Sequence, residues 1–345
     1  MKGTTQTGLI LLALGGALLD GSRAHAADAA LIEAARKEGK VVWYTTNPID
    51  PLVLQLSAAF EKKYSGVKIE YVRANATDVA MRIINEGKAG KVQADVYDGT
   101  TTAELLKKEK LALKWLPDSV KDYAAEYKDA DGYWAATNDY VIAVSYNTNL
   151  IKPGNEPRSW DQLLDPKYRG QMVWSSAPST SAGPGFVGTA IKALGQDKAM
   201  EFLKRLAPQK ISNVNAASRV VIDQVIAGEY AIALQSFPEN AIFSAKSGAP
   251  VQWIPMAPAM TGIVSTAGVT AGAPHPNAGK LLFDFMCDEE GQKIYRDAFY
   301  IPAHPKIPPL EAELTPGKHR VVHLTPTETS EAMPKWFDIY KELFQ

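Results

Sequence analysis

Residues 41–45 (VVWYT) carry no charge, and each is β-branched or aromatic. A strand that reads this way is covered on both faces, the condition of a parallel sheet with helices packed on either side. The neighbouring segments keep to that plan. Residues 29–38 place Leu31, Ile32 and Ala35 at helical spacing behind Asp28, the expected N-cap. Asp50 and Pro51 open a second helix with Leu52, Leu56, Ala59 and Phe60 inward, and Gly66 stops it. Val67, Ile69 and Tyr71 alternate with polar residues as a strand does. Thr77 is the expected cap of a helix running to Glu86. Residues 94–97 (ADVY) form a third strand, and Thr101 or Thr102 caps the helix that holds Leu105 and Leu106. This β-α-β-α-β series predicts a mostly parallel sheet with right-handed crossovers.

The second half repeats the logic. Residues 140–146 (YVIAVSY), 171–174 and 230–234 (YAIAL) read as strands, and 251–254 is extended. Helices are expected at 160–164, 199–206, 218–227 and 238–246, with Gly228 ending the third of them. Residues 302–316 are Pro-rich and should wrap the surface irregularly, and 328–344 reads as closing helical turns. A length of 345 residues suits two domains at roughly 150 residues each. The expectation is an α/β chain of two units joined by extended segments.

Residues 1–26 read as an address. Lys2 supplies the positive start, residues 8–19 are an uncharged apolar run, and Ala24-His25-Ala26 is a small-x-small cleavage pattern. That run is too short for a bilayer core of about 30 Å. No cysteine stands at the cleavage point to take a lipid anchor. The expected product is exported, soluble and periplasmic. A net charge of −1 gives no basic footprint for nucleic acid. The single cysteine, Cys287, excludes an internal disulfide and sits in an apolar helix, where it should be buried and inert.

In open α/β sheets, ligands bind beyond the carboxyl ends of strands. That rule selects Thr45, Thr46, Asn47 and Pro48 after the first strand, and Asp98, Gly99, Thr100, Thr101 and Thr102 after the third. It also selects the Ser/Pro/Gly-rich loop 176–185 with Ser179, Thr180 and Ser181. Short hydroxyls and amides backed by helix N-termini hold anions. The same groups also serve as plain helix caps. Asn215, Ser218 and Arg219 form a further loop in which Arg219 suits a carboxylate or phosphonate, or else a surface salt bridge. Gln235 begins the loop 235–239 after YAIAL. Tyr140, Tyr44 and Trp174 are candidates for a pocket wall or for core. Catalytic signals are weak: Ser181 in STSAG lacks the first glycine of a nucleophile elbow, and there is no phosphate-cradling G-x-x-x-x-G-K. His319 and His323, four apart, have no third ligand nearby, so no metal or other cofactor is expected.

Four stretches carry a resemblance over nearly the whole mature chain: VVWYTTNPIDPLVLQLSAAFEKKYSGVKIEYV, VIAVSYNTNLI, VVIDQVIAGEYAIAL and AGAPHPNAGKLLFDFMCDEEGQKIY. In them the protein resembles the extracellular solute-binding proteins of bacterial ABC importers, in the group that includes ferric-iron-binding proteins. The last stretch is similar to that family's hydrophobic strand, Pro-His-Pro turn and helix ending in Glu-Glu-Gly-Gln. The resemblance implies a type II periplasmic-binding-protein fold of two hinged lobes, each a mostly parallel sheet flanked by helices. Lobe 1 would be 27–138 with 264–301 and lobe 2 139–263, with 302–345 a C-terminal wrap and helix. It implies a monomer that binds a small solute without turning it over and delivers it to an inner-membrane permease with its ATPase. Residues 179–182 match the family's anion-holding segment. Iron-binding members carry adjacent tyrosines after the strand matching YAIAL; here that position reads Gln235-Ser236-Phe237-Pro238, and the chain has no Tyr-Tyr pair. The expected solute is therefore an organic anion: a carboxylate, phosphonate or phosphate ester. The alternatives are ferric iron or a ferric chelate held by scattered tyrosines (Tyr44, Tyr140, Tyr230), and an enzyme on the same scaffold.

Overall fold

The computed structural model describes residues 21–345. The expected leader lies outside the described residues except for its end, which the first helix includes. That helix, α1 (Gly21–Glu38), leads into β1 (Lys40–Thr45). Asp28 is thus inside α1 rather than capping it. The chain continues through α2 (Leu54–Lys63), β2 (Lys68–Arg73), α3 (Ala76–Lys88), β3 (Val96–Gly99) and α4 (Thr102–Lys108). The cap of α3 is Asn75, whose side chain accepts from the Asp78 N–H at 2.9 Å, two residues before the expected Thr77.

A strand of 13 residues, β4 (Ala135–Asn147), leaves this unit. Beyond it come β5 (Met172–Ser175), α5 (Gly183–Leu194), α6 (Gln196–Leu206), β6 (Ser212–Val214), α7 (Ser218–Ala227), β7 (Ile232–Ser236), α8 (Pro238–Lys246) and β8 (Val251–Ile254). The chain returns along β9 (Met260–Val269) to α9 (Pro276–Cys287) and α10 (Glu289–Asp297). It closes with β10 (Ile301–Pro302), β11 (Val321–His323) and α11 (Pro326–Phe344). Glu289-Glu290-Gly291-Gln292 opens α10 rather than ending α9, because Asp288 caps the new helix by accepting from the Gly291 N–H at 2.8 Å.

The strands form one sheet in the order β2-β1-β3-β9-β4-β7-β5-β6. At its two ends are parallel trios, β2-β1-β3 and β7-β5-β6. The centre is antiparallel: β9 pairs with β3 and β4, and β4 pairs with β7 and β8. Each parallel wing is what the runs VVWYT and YAIAL predict, while the two long strands between them give the sheet a mixed centre. β4 pairs with β9 along 135–142 and with β7 and β8 along 143–147, and its register slips between Ala143 and Ser145.

Two hydrophobic cores lie on either side of this crossing. One gathers Trp43, Phe60, Ile83, Phe283 and Phe285 around the first wing. The other gathers Trp160, Trp174, Phe186 and Phe202 around the second, and α11 closes it with Trp336 and Tyr340. α11 seats on α5 where glycines leave room: a methyl group at Gly188 would stand 2.7 Å from the Trp336 ring. Cys287 is fully buried, and burial holds its thiol far above the ordinary range.

Candidate functional site

The carboxyl ends of the two parallel wings face a common cleft. Its cavity measures about 1320 Å³. From the first wing come Thr46 after β1, Arg73 at the end of β2, and Thr100 and Thr101 after β3. From the second come Ser179, Thr180 and Ser181 after β5, and Phe237 and Glu239 after β7. Tyr140 of the crossing strand β4 and Tyr300 after α10 line the middle, and α11 supplies one side through Thr329, Met333 and Phe337.

Of the residues selected from sequence, Thr46, Thr100, Thr101, Tyr140, Ser179, Thr180 and Ser181 lie on this wall. Thr45, Asn47, Gln235 and Arg219 do not. Thr45 is fully buried, and its hydroxyl accepts from the Asn47 N–H at 3.0 Å. Asn47 turns inward and donates to Asp98 at 3.1 Å. Gln235 is buried within β7, donating to Thr261 at 3.4 Å. Arg219 lies on the exposed face of α7, where its Nη2 and Nε donate to Oδ1 of Asp223 one turn on, at 2.8 and 3.0 Å. Tyr44 and Trp174 belong to the cores.

Asp98 organises the first rim. It is fully buried and accepts from Trp43 Nε1 at 2.7 Å, from the Thr46 N–H and hydroxyl at 2.7 and 2.6 Å, and from Asn47 Nδ2. Burial raises its pKa, and the donors around it only partly counter that. The second rim is less committed. Helix α5 begins after Ala182, which has no capping side chain, and the Ser179 and Ser181 hydroxyls approach only each other, at 3.4 Å. Among the described residues, the side chains of Thr100, Thr101 and Thr180 make no hydrogen bond within the protein. These hydroxyls are not spent on capping.

The charged groups on the wall are Arg73, the one cation among the described lining residues, and Asp50, Glu104 and Glu239. Glu104 is engaged, accepting from Trp134 at 3.1 Å and from Thr327 of α11 at 2.8 Å. Glu239 sits in the first turn of α8, and burial pushes its carboxyl up to about 7, against the pull of its own backbone N–H. The rings beside it are Tyr140, Phe237 and Tyr300. Tyr140 meets Phe237 edge-on at 5.4 Å and Tyr300 at 5.7 Å. Burial raises both phenols, Tyr300 to about 12, and the Glu239 charge adds to it.

Sequence reasoning missed Arg73 and the α11 wall, and it selected the loop 235–239 without singling out Glu239. The strand-end rule, applied to β2 as well as to its neighbours, would have found Arg73. His319 and His323, weighed as a metal pair, lie apart in use: His319 faces Glu313 at 3.0 Å and His323 faces Asp139 at 2.8 Å. Among the described residues no group of three His, Cys, Asp or Glu could hold a metal ion, and no helix is long and apolar enough to cross a membrane.

Comparison with known proteins adds a relationship. The description "bacterial extracellular solute-binding protein" matches residues 41–301. A relative from Salmonella typhi, the "putative 2-aminoethylphosphonate-binding periplasmic protein", is 25% identical over 239 residues, 67% of each chain. Among solved structures, the Trichodesmium protein IdiA (FutA) in complex with iron and citrate superposes with a TM-score of 0.74 at 17% identity. The match covers 89% of this chain and 100% of that one. The periplasmic binding protein AfuA from Actinobacillus pleuropneumoniae, with fructose-6-phosphate bound, gives 0.70 at 19% identity, covering 88% and 99%. At these identities the structures share the fold.

Proposed function

We propose that this chain, which belongs to the bacterial extracellular solute-binding protein family, captures a small organic anion in the cleft between its wings and hands it to an ABC permease. The single observation that carries this reading is the hydroxyl-lined wall of the cleft. Ser179, Thr180 and Ser181 line the cavity before the start of α5, their hydroxyls bonded to nothing in the protein but each other, and Arg73 stands on the same cavity. Hydroxyls hydrogen-bond a carboxylate or phosphonate, and an arginine fork adds a countercharge. The relative named for 2-aminoethylphosphonate supports a phosphonate within that class.

The lobes we assign are 27–138 with 264–301, and 139–263, turning on β4 and β9. Closure stabilised only by ligand contacts would give selectivity. Residues 302–345 act as more than a wrap, because α11 contributes to the cleft wall. The family supports a periplasmic site of action, with residues 1–26 as the export signal. Family and fold are those of binding proteins rather than enzymes, and the solute leaves unaltered.

The ferric reading has less support. Of the tyrosines suggested for it, Tyr44 donates to Glu86 at 2.7 Å with its phenol raised to about 12. Tyr230 packs beside Val173 and Val221. Tyr140 alone lines the cleft, and burial holds it neutral. A thermal-shift screen separates the two. Organic anions at a hundredfold excess over Kd should stabilise the protein by about 2.7 kcal/mol, and Fe(III) should produce no phenolate colour. Stabilisation by Fe(III) with none from any organic anion overturns the reading.

A further inference from the structure

The cleft wall carries two kinds of chemistry: hydroxyls with one arginine, Arg73, and a carboxylate, Glu239, on the same cavity as three aromatic rings. Resting on the organic-anion reading, we propose that the solute is a zwitterion whose ammonium group is held by Glu239 together with Tyr140, Phe237 and Tyr300.

Glu239 lines the same cavity as those rings. Among the described residues no Lys, Arg or His forms an ion pair with it, and no cation contributes to its titration. Its only internal donor is its own backbone N–H, so a carboxylate at the helix start stands in the cleft without a countercharge. Glu239 follows Phe237 by two residues, and the Phe237 ring meets Tyr140 edge-on at 5.4 Å, with Tyr300 at 5.7 Å beyond. A carboxylate flanked by aromatic rings is what an ammonium ion prefers: opposite charge, hydrogen-bond acceptors, and π faces within about 6 Å. A purely anionic solute would bring like charge towards Glu239 in a site that closure dries, where charge interactions strengthen. Of the other two carboxylates on the wall, Glu104 already accepts from Trp134 and Thr327, and Asp50 is exposed to solvent.

The test uses matched pairs that differ only in the amine: 2-aminoethylphosphonate against ethylphosphonate, and β-alanine against propionate. Calorimetric titrations are run on the wild-type protein and on Glu239→Gln. The wild type should bind at least one amine-bearing member tenfold or more tightly than its partner, and Glu239→Gln should abolish that preference while keeping the weaker binding of the plain anion. Equal affinity within the pairs in the wild type overturns the inference and leaves the organic-anion reading standing. So does a loss in Glu239→Gln that falls equally on both members, which would make Glu239 a protonated donor to the anion. Binding of none of the four probes, nor of any other organic anion, by a protein that melts cooperatively removes the underlying reading, and the inference with it. The wild-type comparison needs no variant to fold.

Discussion

The carboxylate of Asp98, at the end of β3, takes two hydrogen bonds from Thr46, just past the end of β1: 2.7 Å from its N–H and 2.6 Å from its hydroxyl. Trp43 and Asn47 complete the set, so one buried side chain fixes the loop that leaves each of two neighbouring strands. Asp98 is thus the common acceptor that ties these two loops together at the cleft rim.

Asp98→Ala leaves buried donors without an acceptor, at about 1–3 kcal/mol for each that water cannot reach. We expect a loss of about 3 kcal/mol in urea unfolding, and weaker binding of an anion in the cleft that Thr46 and Thr100 line. Asp98→Asn, which keeps part of the acceptor set, should recover a fraction. A variant Asp98→Ala that unfolds at the wild-type midpoint would contradict this account of the rim.

Burial raises the Glu239 carboxyl to about 7. A raised acid binds more protons folded than unfolded, so stability falls as pH rises from the ordinary carboxylate range towards 7 and is level beyond it. Tyr140 and Tyr300 face Glu239 but stay neutral throughout that window, their phenols raised by burial. The full shift corresponds to about 3 kcal/mol. Partial access to cleft water reduces this to about 1–2 kcal/mol. Glu239→Gln should therefore be more stable than wild type at pH 8 and equal to it near pH 4 in paired thermal melts. A constant difference across pH would show that Glu239 does not titrate as described.

How much of this was legible from sequence depends on what set each feature. The β1 and β7 strands announce themselves because burial on both faces demands an uncharged, apolar run, VVWYT in one and YAIAL in the other. Helix α5 did not: Gly183, Gly185 and Gly188 all argue against a helix. Gly183 and Gly188 are there because α11 packs close, Tyr340 against the first and Trp336 against the second, and Gly185 because it lies against the Thr180 backbone, reasons local sequence cannot carry. The loop after YAIAL was found, but β7 runs two residues further than the apolar run suggests. Gln235 is therefore held in the strand, and Phe237 and Glu239 reach the cleft. Arg219 has Asp223 four residues on, the spacing of a surface helix pair, and the structure forms that pair.

That placement separates two arginines. Arg73→Ala should weaken an anionic solute by about 1.5–3 kcal/mol, the range for hydrogen bonds to charged groups. Arg219→Ala should change solute affinity by less than about 0.5 kcal/mol, since an exposed pair on α7 contributes little to anything beyond its own helix. Titration of both variants with one anion decides it: the reverse order of effects would move the anion site away from β2.

His323 lies against Asp139 at 2.8 Å, and Tyr127 donates to the same carboxylate at 2.9 Å. Burial disfavours the imidazolium, but the Asp139 hydrogen bond and charge outweigh it, and the His323 pKa is raised. A raised histidine adds stability that is fully present below its unfolded pKa and is lost as pH rises through the folded value. His323→Gln should accordingly be destabilised most near pH 5.5, with a difference that shrinks by pH 8. A difference that grew with pH would mean that the neutral imidazole, not the cation, is the stabilising form.

The last test concerns α11. At Gly188 an added methyl would sit 2.7 Å from the Trp336 ring, too close for either to stay in place. Trp336 is buried and cannot swing into solvent, so Gly188→Ala must push α11 away from α5. Overpacking of this kind costs about 1–3 kcal/mol. Because Thr329, Met333 and Phe337 of the same helix line the cleft, solute affinity should fall along with the melting temperature. Trimming the ring in Gly188→Ala/Trp336→Leu relieves the clash, so the double variant should lose less than the sum of the two single losses. Additive losses would mean that α5 and α11 yield independently, and that the C-terminal helix does not hold the cleft wall through this contact.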